Sequence, residues 1–327
     1  MPQPSASCVP TPSLHPLLKS LCQAMPLAVA LLPVAASAAG TVSAAGTYDG
    51  YGVDGSTAVS ATNAPFYVQN ASVDPNAPYA PYARQSAASD GLGNFAGQVQ
   101  AGVSPAQPYK GITAYSSLSL IDSDTLVNTG RRAQDVVFNF NIFQVLFNLG
   151  APLDAGYNSM DLGVQASFAA RIYVNGASTA TWSSSFSLSA KDPQHWTVTS
   201  SGTDLGLSSA YANAVAAEAT PGRLPGAYLQ SDPYHGSLAL GALGSGESLS
   251  VRYEVDLLTE AMGYGGSAAV TFADPAGLSE GDVDALSSAS LGFATAVPEA
   301  STLEMSAAGL AVLGAALRRR KGAKPRD

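Results

Sequence analysis

Gly277-Leu278-Ser279-Glu280-Gly281 matches the G-x-S-x-G pattern that can expose a nucleophilic serine. The pattern works when a strand runs straight into a helix and a sharp turn lifts the hydroxyl clear of the sheet. Asp274-Pro275 sits just before it and breaks the strand that should feed the turn. A serine hydrolase also needs a histidine beside the serine and an acid behind it. Beyond residue 40 the only histidines are His195, after Lys191-Asp192-Pro193-Gln194, and His235, after Asp232-Pro233-Tyr234. Both read as exposed turn residues, since Asp-Pro favours turns. Two isolated histidines also fall short of the three protein ligands usual for catalytic zinc. Three acidic stretches could offer oxygens to calcium: Asp122-Ser123-Asp124, Glu280-Gly281-Asp282-Val283-Asp284, and Asp49-Gly50-Tyr51-Gly52-Val53-Asp54-Gly55. Calcium takes six to eight oxygens, and none of the three has the calcium-loop spacing. They read as solvated loops, with structural calcium as the alternative. Tyrosines at Tyr79, Tyr82, Tyr109 and Tyr115 could stack on sugar rings or simply pack as strand residues. No catalytic set and no cofactor site emerges, and the reading is of a non-enzyme.

Charge narrows the partners. Of the 327 residues only 12% are charged and 46% are hydrophobic, with Gly, Ala and Ser filling the difference. Between Gly40 and Val297 there are 8 Lys+Arg against 21 Asp+Glu, a balance of 8 − 21 = −13. Such a region repels phosphate and offers no basic stripe from which counterions could be released, which argues against DNA or RNA as a partner. The two cysteines, Cys8 and Cys22, both precede the expected cleavage point described next, so the mature chain would have neither disulfide nor thiolate site. Lys19 lies within the run before Cys22, a poor fit to a lipid-attachment box.

The two ends read as sorting segments. Lys19 followed by the apolar run Ala24–Val34 and then Ala35-Ala36-Ser37-Ala38-Ala39 has the order of a secretory signal peptide. Small residues at Ala36 and Ala38 place cleavage after residue 38. At the other end, Val297-Pro298-Glu299-Ala300-Ser301-Thr302 precedes an apolar run over 303–317, and Arg318-Arg319-Arg320-Lys321 follows. Fifteen residues of helix span about 22 Å at 1.5 Å per residue, short of a hydrocarbon core of about 30 Å. Flanking residues and snorkelling arginines can make up the difference. The basic cluster would stay cytoplasmic and the body would be exported.

Residues 297–327 resemble the PEP-CTERM sorting domain. The resemblance rests on Val297, Pro298, Glu299, Ser301 and Thr302, the apolar run, and Arg318, Arg319, Arg320 and Lys321. Ala300 stands where the motif has a second proline, and Glu304 where an apolar residue is usual. The resemblance implies processing by exosortase, a membrane transpeptidase-like enzyme, near Pro298-Glu299. It also implies passage through the inner membrane to the cell surface or medium, and a role in the matrix or biofilm of a bacterium that makes exopolysaccharide.

Residues 39–111 are rich in Gly, Pro and Ala and read as loops and edge strands, with short strands at 66–70 and 95–101. Over 112–295, alternating apolar residues predict strands. The clearest are Val136, Phe138, Phe140 and Ile142; Val164, Ala166, Phe168, Ala170, Ile172 and Val174; and Val251, Tyr253, Val255 and Leu257. The phase flips after Ile142, to Phe143, Val145 and Phe147, which suggests a β-bulge. Asn175-Gly176 predicts a hairpin turn, and dense alanine predicts one helix over 208–219. The whole is mostly β: an antiparallel β-sandwich or jelly-roll-like domain over 112–295.

Overall fold

The computed structural model describes residues 41–50, 53–62, 64–72, 81–90, 93–103, 113–150, 163–192, 195–218, 226–262, 266–273 and 287–294. The signal segment, Gly277–Asp284 and everything from residue 295 onward lie outside the described residues. In chain order the elements are β1 (Thr41–Gly50), β2 (Val53–Thr62), β3 (Phe66–Ser72), β4 (Tyr82–Ser89), β5 (Asn94–Gly102) and β6 (Thr113–Val127). Next come β7 (Gln134–Ile142), β8 (Val145–Gly150), β9 (Val164–Val174), β10 (Trp182–Asp192), β11 (His195–Gly202) and helix α1 (Leu207–Glu218). The chain then forms β12 (Gly226–Gln230), β13 (Tyr234–Leu243), β14 (Ser248–Met262), β15 (Ser267–Phe272) and β16 (Ser287–Phe293).

Two antiparallel sheets pack face to face. The seven-stranded sheet has the order β11-β10-β9-β14-β6-β1-β2. The nine-stranded sheet runs β12-β8-β15-β5-β16-β7-β13, with β4 added to β5 and β3 to β4. Strict alternation in β14 and β6 drives the packing, since every second side chain from Leu249 to Ala261 is buried. Aromatic rings meet across the interface: Phe95 with Tyr253 at 5.3 Å, Phe147 with Phe186 at 5.2 Å and Phe168 with Phe272 at 6.0 Å.

The amino-terminal part is woven into both sheets. β1 lies between β2 and β6, and β5 sits inside the nine-stranded sheet with Phe95 and Val99 fully buried. The expected strands at 66–70 and 95–101 are β3 and β5, while β1, β2 and β4 carried too little apolar alternation to be seen. In β1 only Val42 and Ala44 are buried apolar residues. Small residues suffice there because the sheets come close. A Cβ on Gly46 would stand 2.5 Å from Gln85 Oε1 on β4 of the facing sheet.

The phase flip after Ile142 is a break between strands rather than a bulge inside one. Phe143 and Gln144 separate β7 from β8, and the neighbouring strand breaks at the same level, at 231–233 between β12 and β13. Serines stitch this crease. Val145 N–H donates to Ser231 Oγ at 2.8 Å, and Phe143 N–H to Ser287 Oγ at 3.1 Å. Asn175 and Gly176 do make the expected turn, with φ of 52° and 68°. Pairing with β10 resumes only at Trp182 opposite Ile172, so the connection is longer than a two-residue hairpin.

Candidate functional site

The sorting segment leaves the body from a defined place. β16 lies between β5 and β7 in the nine-stranded sheet, and its last residues pair with the start of β7, Phe293 opposite Val136. Ala294 N–H then donates to the Asp135 carbonyl at 2.8 Å. At this same end, Thr41 of β1 pairs with Ser123, Val127 with Ser248, and Leu243 with Gln134. The chain therefore enters β1 and leaves β16 at one pole of the sandwich. Val297, Pro298, Glu299, Ser301 and Thr302, the apolar run 303–317, and Arg318, Arg319, Arg320 and Lys321 lie outside the described residues, as do Ala36 and Ala38. No helix among the described residues is long and apolar enough to cross a membrane.

The loop beside this exit is rigidly built. Asn128 is fully buried, and its side-chain amide donates to the carbonyls of Arg132 at 2.8 Å and Leu243 at 2.7 Å. Its side-chain oxygen accepts from Gly130 N–H at 2.9 Å. Its backbone exchanges hydrogen bonds with the 244–247 turn, to Glu247 O and from Gly246 N–H. One residue thus fastens the β6–β7 loop to the β13–β14 turn and satisfies its own buried amide.

The acidic pair Asp122 and Asp124 is not a solvated loop. Both are on the core-facing side of β6, with exposed Ser123 between them. Asp122 is 2% exposed and pairs across the strands with Tyr253, whose hydroxyl is also buried. One carboxylate oxygen of Asp122, the Tyr253 hydroxyl and the Trp182 indole N–H have no hydrogen-bond partner among the described residues. Burial, then the charge of Asp124, pushes Asp122 up to about 8, although the Ser123 N–H pulls the other way. Burial also raises Asp124, and burial plus the facing Asp122 raises Tyr253. Among the described residues no three or more His, Cys, Asp or Glu side chains gather as metal ligands. The sequence showed the two carboxylates but not the facing tyrosine, which is more than a hundred residues away.

The histidines are strand residues. His195 begins β11 and His235 lies in β13; both are exposed, and they belong to different sheets. His235 borders a shallow depression with Asn139, Asn141, Ser237, Ser288 and Ser290, and no carboxylate among the described residues lines it. Ser237 Oγ there donates to Asn139 Oδ1 at 2.9 Å. Ser279 lies outside the described residues. The tyrosines are scattered. Tyr115 and Tyr173 share the outer face of the seven-stranded sheet but stand opposite Glu260 and Arg252, near different ends of β14. Tyr82 is half-buried, and Tyr79 and Tyr109 are outside the described residues.

The outer face of the seven-stranded sheet is paved with hydroxyls. One row across it reads Thr199, Ser187, Ser167, Leu258, Ser117 and Thr47. Some hydroxyls pair with each other, Ser185 with Ser201 at 2.8 Å and Thr47 with Ser117 at 3.2 Å. Charge on this face is concentrated where Arg171 contacts Asp256 at 2.5 Å and Glu254 at 3.6 Å.

With the exit point fixed at Ala294, the family model for the PEP-CTERM protein-sorting motif matches residues 296–321. The chain carries a PEP-CTERM sorting motif. The match begins two residues beyond Ala294, so the PEP-CTERM segment follows the folded body almost without a linker. A PEP-CTERM motif implies processing by an exosortase-type enzyme, with export to the cell surface or the exterior. No curated protein and no solved structure matches the chain.

Proposed function

We propose that this is a non-enzymatic surface protein whose β-sandwich body becomes part of the extracellular matrix or biofilm. The run 303–317 holds it in the inner membrane until an exosortase-type enzyme removes the tail. The observation that carries this reading is the PEP-CTERM match at residues 296–321, directly behind the last strand of the body. The lack of an acid in the depression beside His235 among the described residues, and the placing of His195 and His235 in different sheets, support a structural role over hydrolysis. The test is mass spectrometry of the mature protein from envelope and medium fractions. The expected C-terminus falls near Pro298-Glu299. Product in the medium that runs through to Asp327 would sink the processing step.

A second reading, carbohydrate recognition with exopolysaccharide as the partner, draws on the hydroxyl-paved outer face. Such a face can exchange hydrogen bonds with sugar hydroxyls but lacks an aromatic platform among the described residues. Retention of the body on an exopolysaccharide column, lost on changing Ser187 and Ser167 to alanine, would favour it.

A further inference from the structure

The body of this protein is acidic, yet two of its few basic residues, Arg131 and Arg132, sit side by side and exposed at the pole from which the sorting segment departs. They lie on the β6–β7 loop, three and four residues before Asp135, whose carbonyl holds Ala294. The loop is not free to swing, because buried Asn128 grips the Arg132 carbonyl and ties the loop to the 244–247 turn. Fully extended chain covers at most about 3.6 Å per residue, so Val297 stands within about 11 Å of Ala294. The start of the apolar run at residue 303 stands within about 32 Å of it, and closer wherever the chain between is not extended. The headgroup layer on each side of a bilayer is about 5–8 Å thick. A tail inserted from residue 303 therefore tethers this pole within about 25 Å of the headgroup layer, close enough to reach it but not held against it.

We propose that the pole carrying Arg131 and Arg132 is a membrane-docking face, on which the two guanidinium groups contact the phosphates of anionic lipids while the tail is still attached. The proposal rests on the reading that 303–317 is a membrane anchor. Opposite charge recommends this occupant, since the rest of the body is repelled by an anionic surface and this loop is not. Two exposed acids, Asp135 and Glu247, share this pole, and Glu247 Oε2 accepts from Gly244 N–H at 2.7 Å inside its own turn. Two such arginines would be weak in free solution. A tether raises the local concentration of the partner surface to the millimolar range, where weak contacts are populated. Docking would hold the Pro298-Glu299 segment at the membrane surface, where a membrane-embedded processing enzyme works.

The full chain, with Cys8→Ser and Cys22→Ser, is reconstituted in vesicles of phosphatidylcholine with or without phosphatidylglycerol. A single fluorophore is attached through Ser245→Cys, on the exposed turn at this pole, or through Thr197→Cys, exposed near the other pole. Headgroup-labelled lipid is the quencher, and flotation reports anchoring independently. The expected result is strong quenching at position 245 and little at 197, in anionic vesicles only. Arg131→Glu with Arg132→Glu should cut docked occupancy roughly tenfold without affecting flotation, and Arg131→Lys with Arg132→Lys should restore it. Equal quenching at both positions, or quenching at 245 that survives charge reversal, overturns the proposal while leaving the anchor intact. A chain that fails to float removes the anchor, and the docking face with it.

Discussion

Two rows of the core, four residues apart along the strands, are built from opposite chemistry. One row reads Phe186, Phe168, Leu257, Leu118 and Gly46 across five strands of the seven-stranded sheet. It is wholly apolar, and the side chain of Phe168 stacks on Phe272 from the facing sheet. The other row reads Trp182, Ile172, Tyr253, Asp122 and Val42. It is covered by Phe95, Phe138 and Phe140 around Tyr253, with Trp182 half-buried at its end, yet three of its polar atoms have no partner among the described residues. The first row gains free energy from every atom it removes from water. The second loses part of that gain to desolvated groups that form no hydrogen bond. The lesson is that the same sheet geometry stabilises the fold in one row and limits its stability in the other.

Four substitutions put the contrast to the test, in order of expected size. Phe168→Ala should lower unfolding free energy by about 3–5 kcal/mol in denaturant titration, as the row loses ring contacts and gains a cavity. A loss below about 1 kcal/mol would show that this row is not the supporting core. Asp122→Asn should act in the other direction and stabilise the body at pH 7, by roughly 2–4 kcal/mol. An unfolded aspartate loses its proton near 3.8, whereas folded Asp122 holds its proton up to about 8. Unfolding between those values releases a proton, so stability contributed by this group is full below about pH 4 and declines as pH rises to about 8. The asparagine variant should lack that part of the pH dependence. Parallel pH profiles for the two proteins would remove the cause assigned to it.

Tyr253→Phe should be stabilising by about 1–2 kcal/mol, since it deletes an unpaired hydroxyl and keeps the ring. Destabilisation instead would mean the hydroxyl has a bound partner. Arg171→Gln, at the exposed charge cluster of the outer face, should change stability by less than about 1 kcal/mol. A larger effect would mean that the outer face, and not only the core rows, sets stability.

What could be read from the chain depended on whether the information was local. The sorting motif is linear, so Val297 to Lys321 announced it directly. Strands β7, β9 and β14 announced themselves because apolar residues alternate over many positions. β1, β2 and β4 did not, since their inward residues are mostly Ala, Ser, Thr and Gln, which look like loop composition until a close-packed partner is known. Asp122 and Asp124 were misread for a related reason. Alternation put them on the inner face of β6, but two carboxylates in a row suggest water, and only the register with Tyr253 shows otherwise. The histidines were assigned to turns because of the prolines before them. Pro233 does lie between strands, but β13 begins at Tyr234, so His235 is already a strand residue, and His195 opens β11.

The position of β16 sets an order of events during synthesis. This last strand is laid between β5 and β7, in the interior of its sheet, so the nine-stranded layer has a gap until residue 293 has left the ribosome and crossed the membrane. Burial of Phe138 and closure over Phe95 wait for that strand, while the hydrophobic tail is already following it. If the run 303–317 arrests translocation, as proposed above, completion of the body and that arrest fall close together, and a tail shed too early would release a sandwich whose central seam had little time to close.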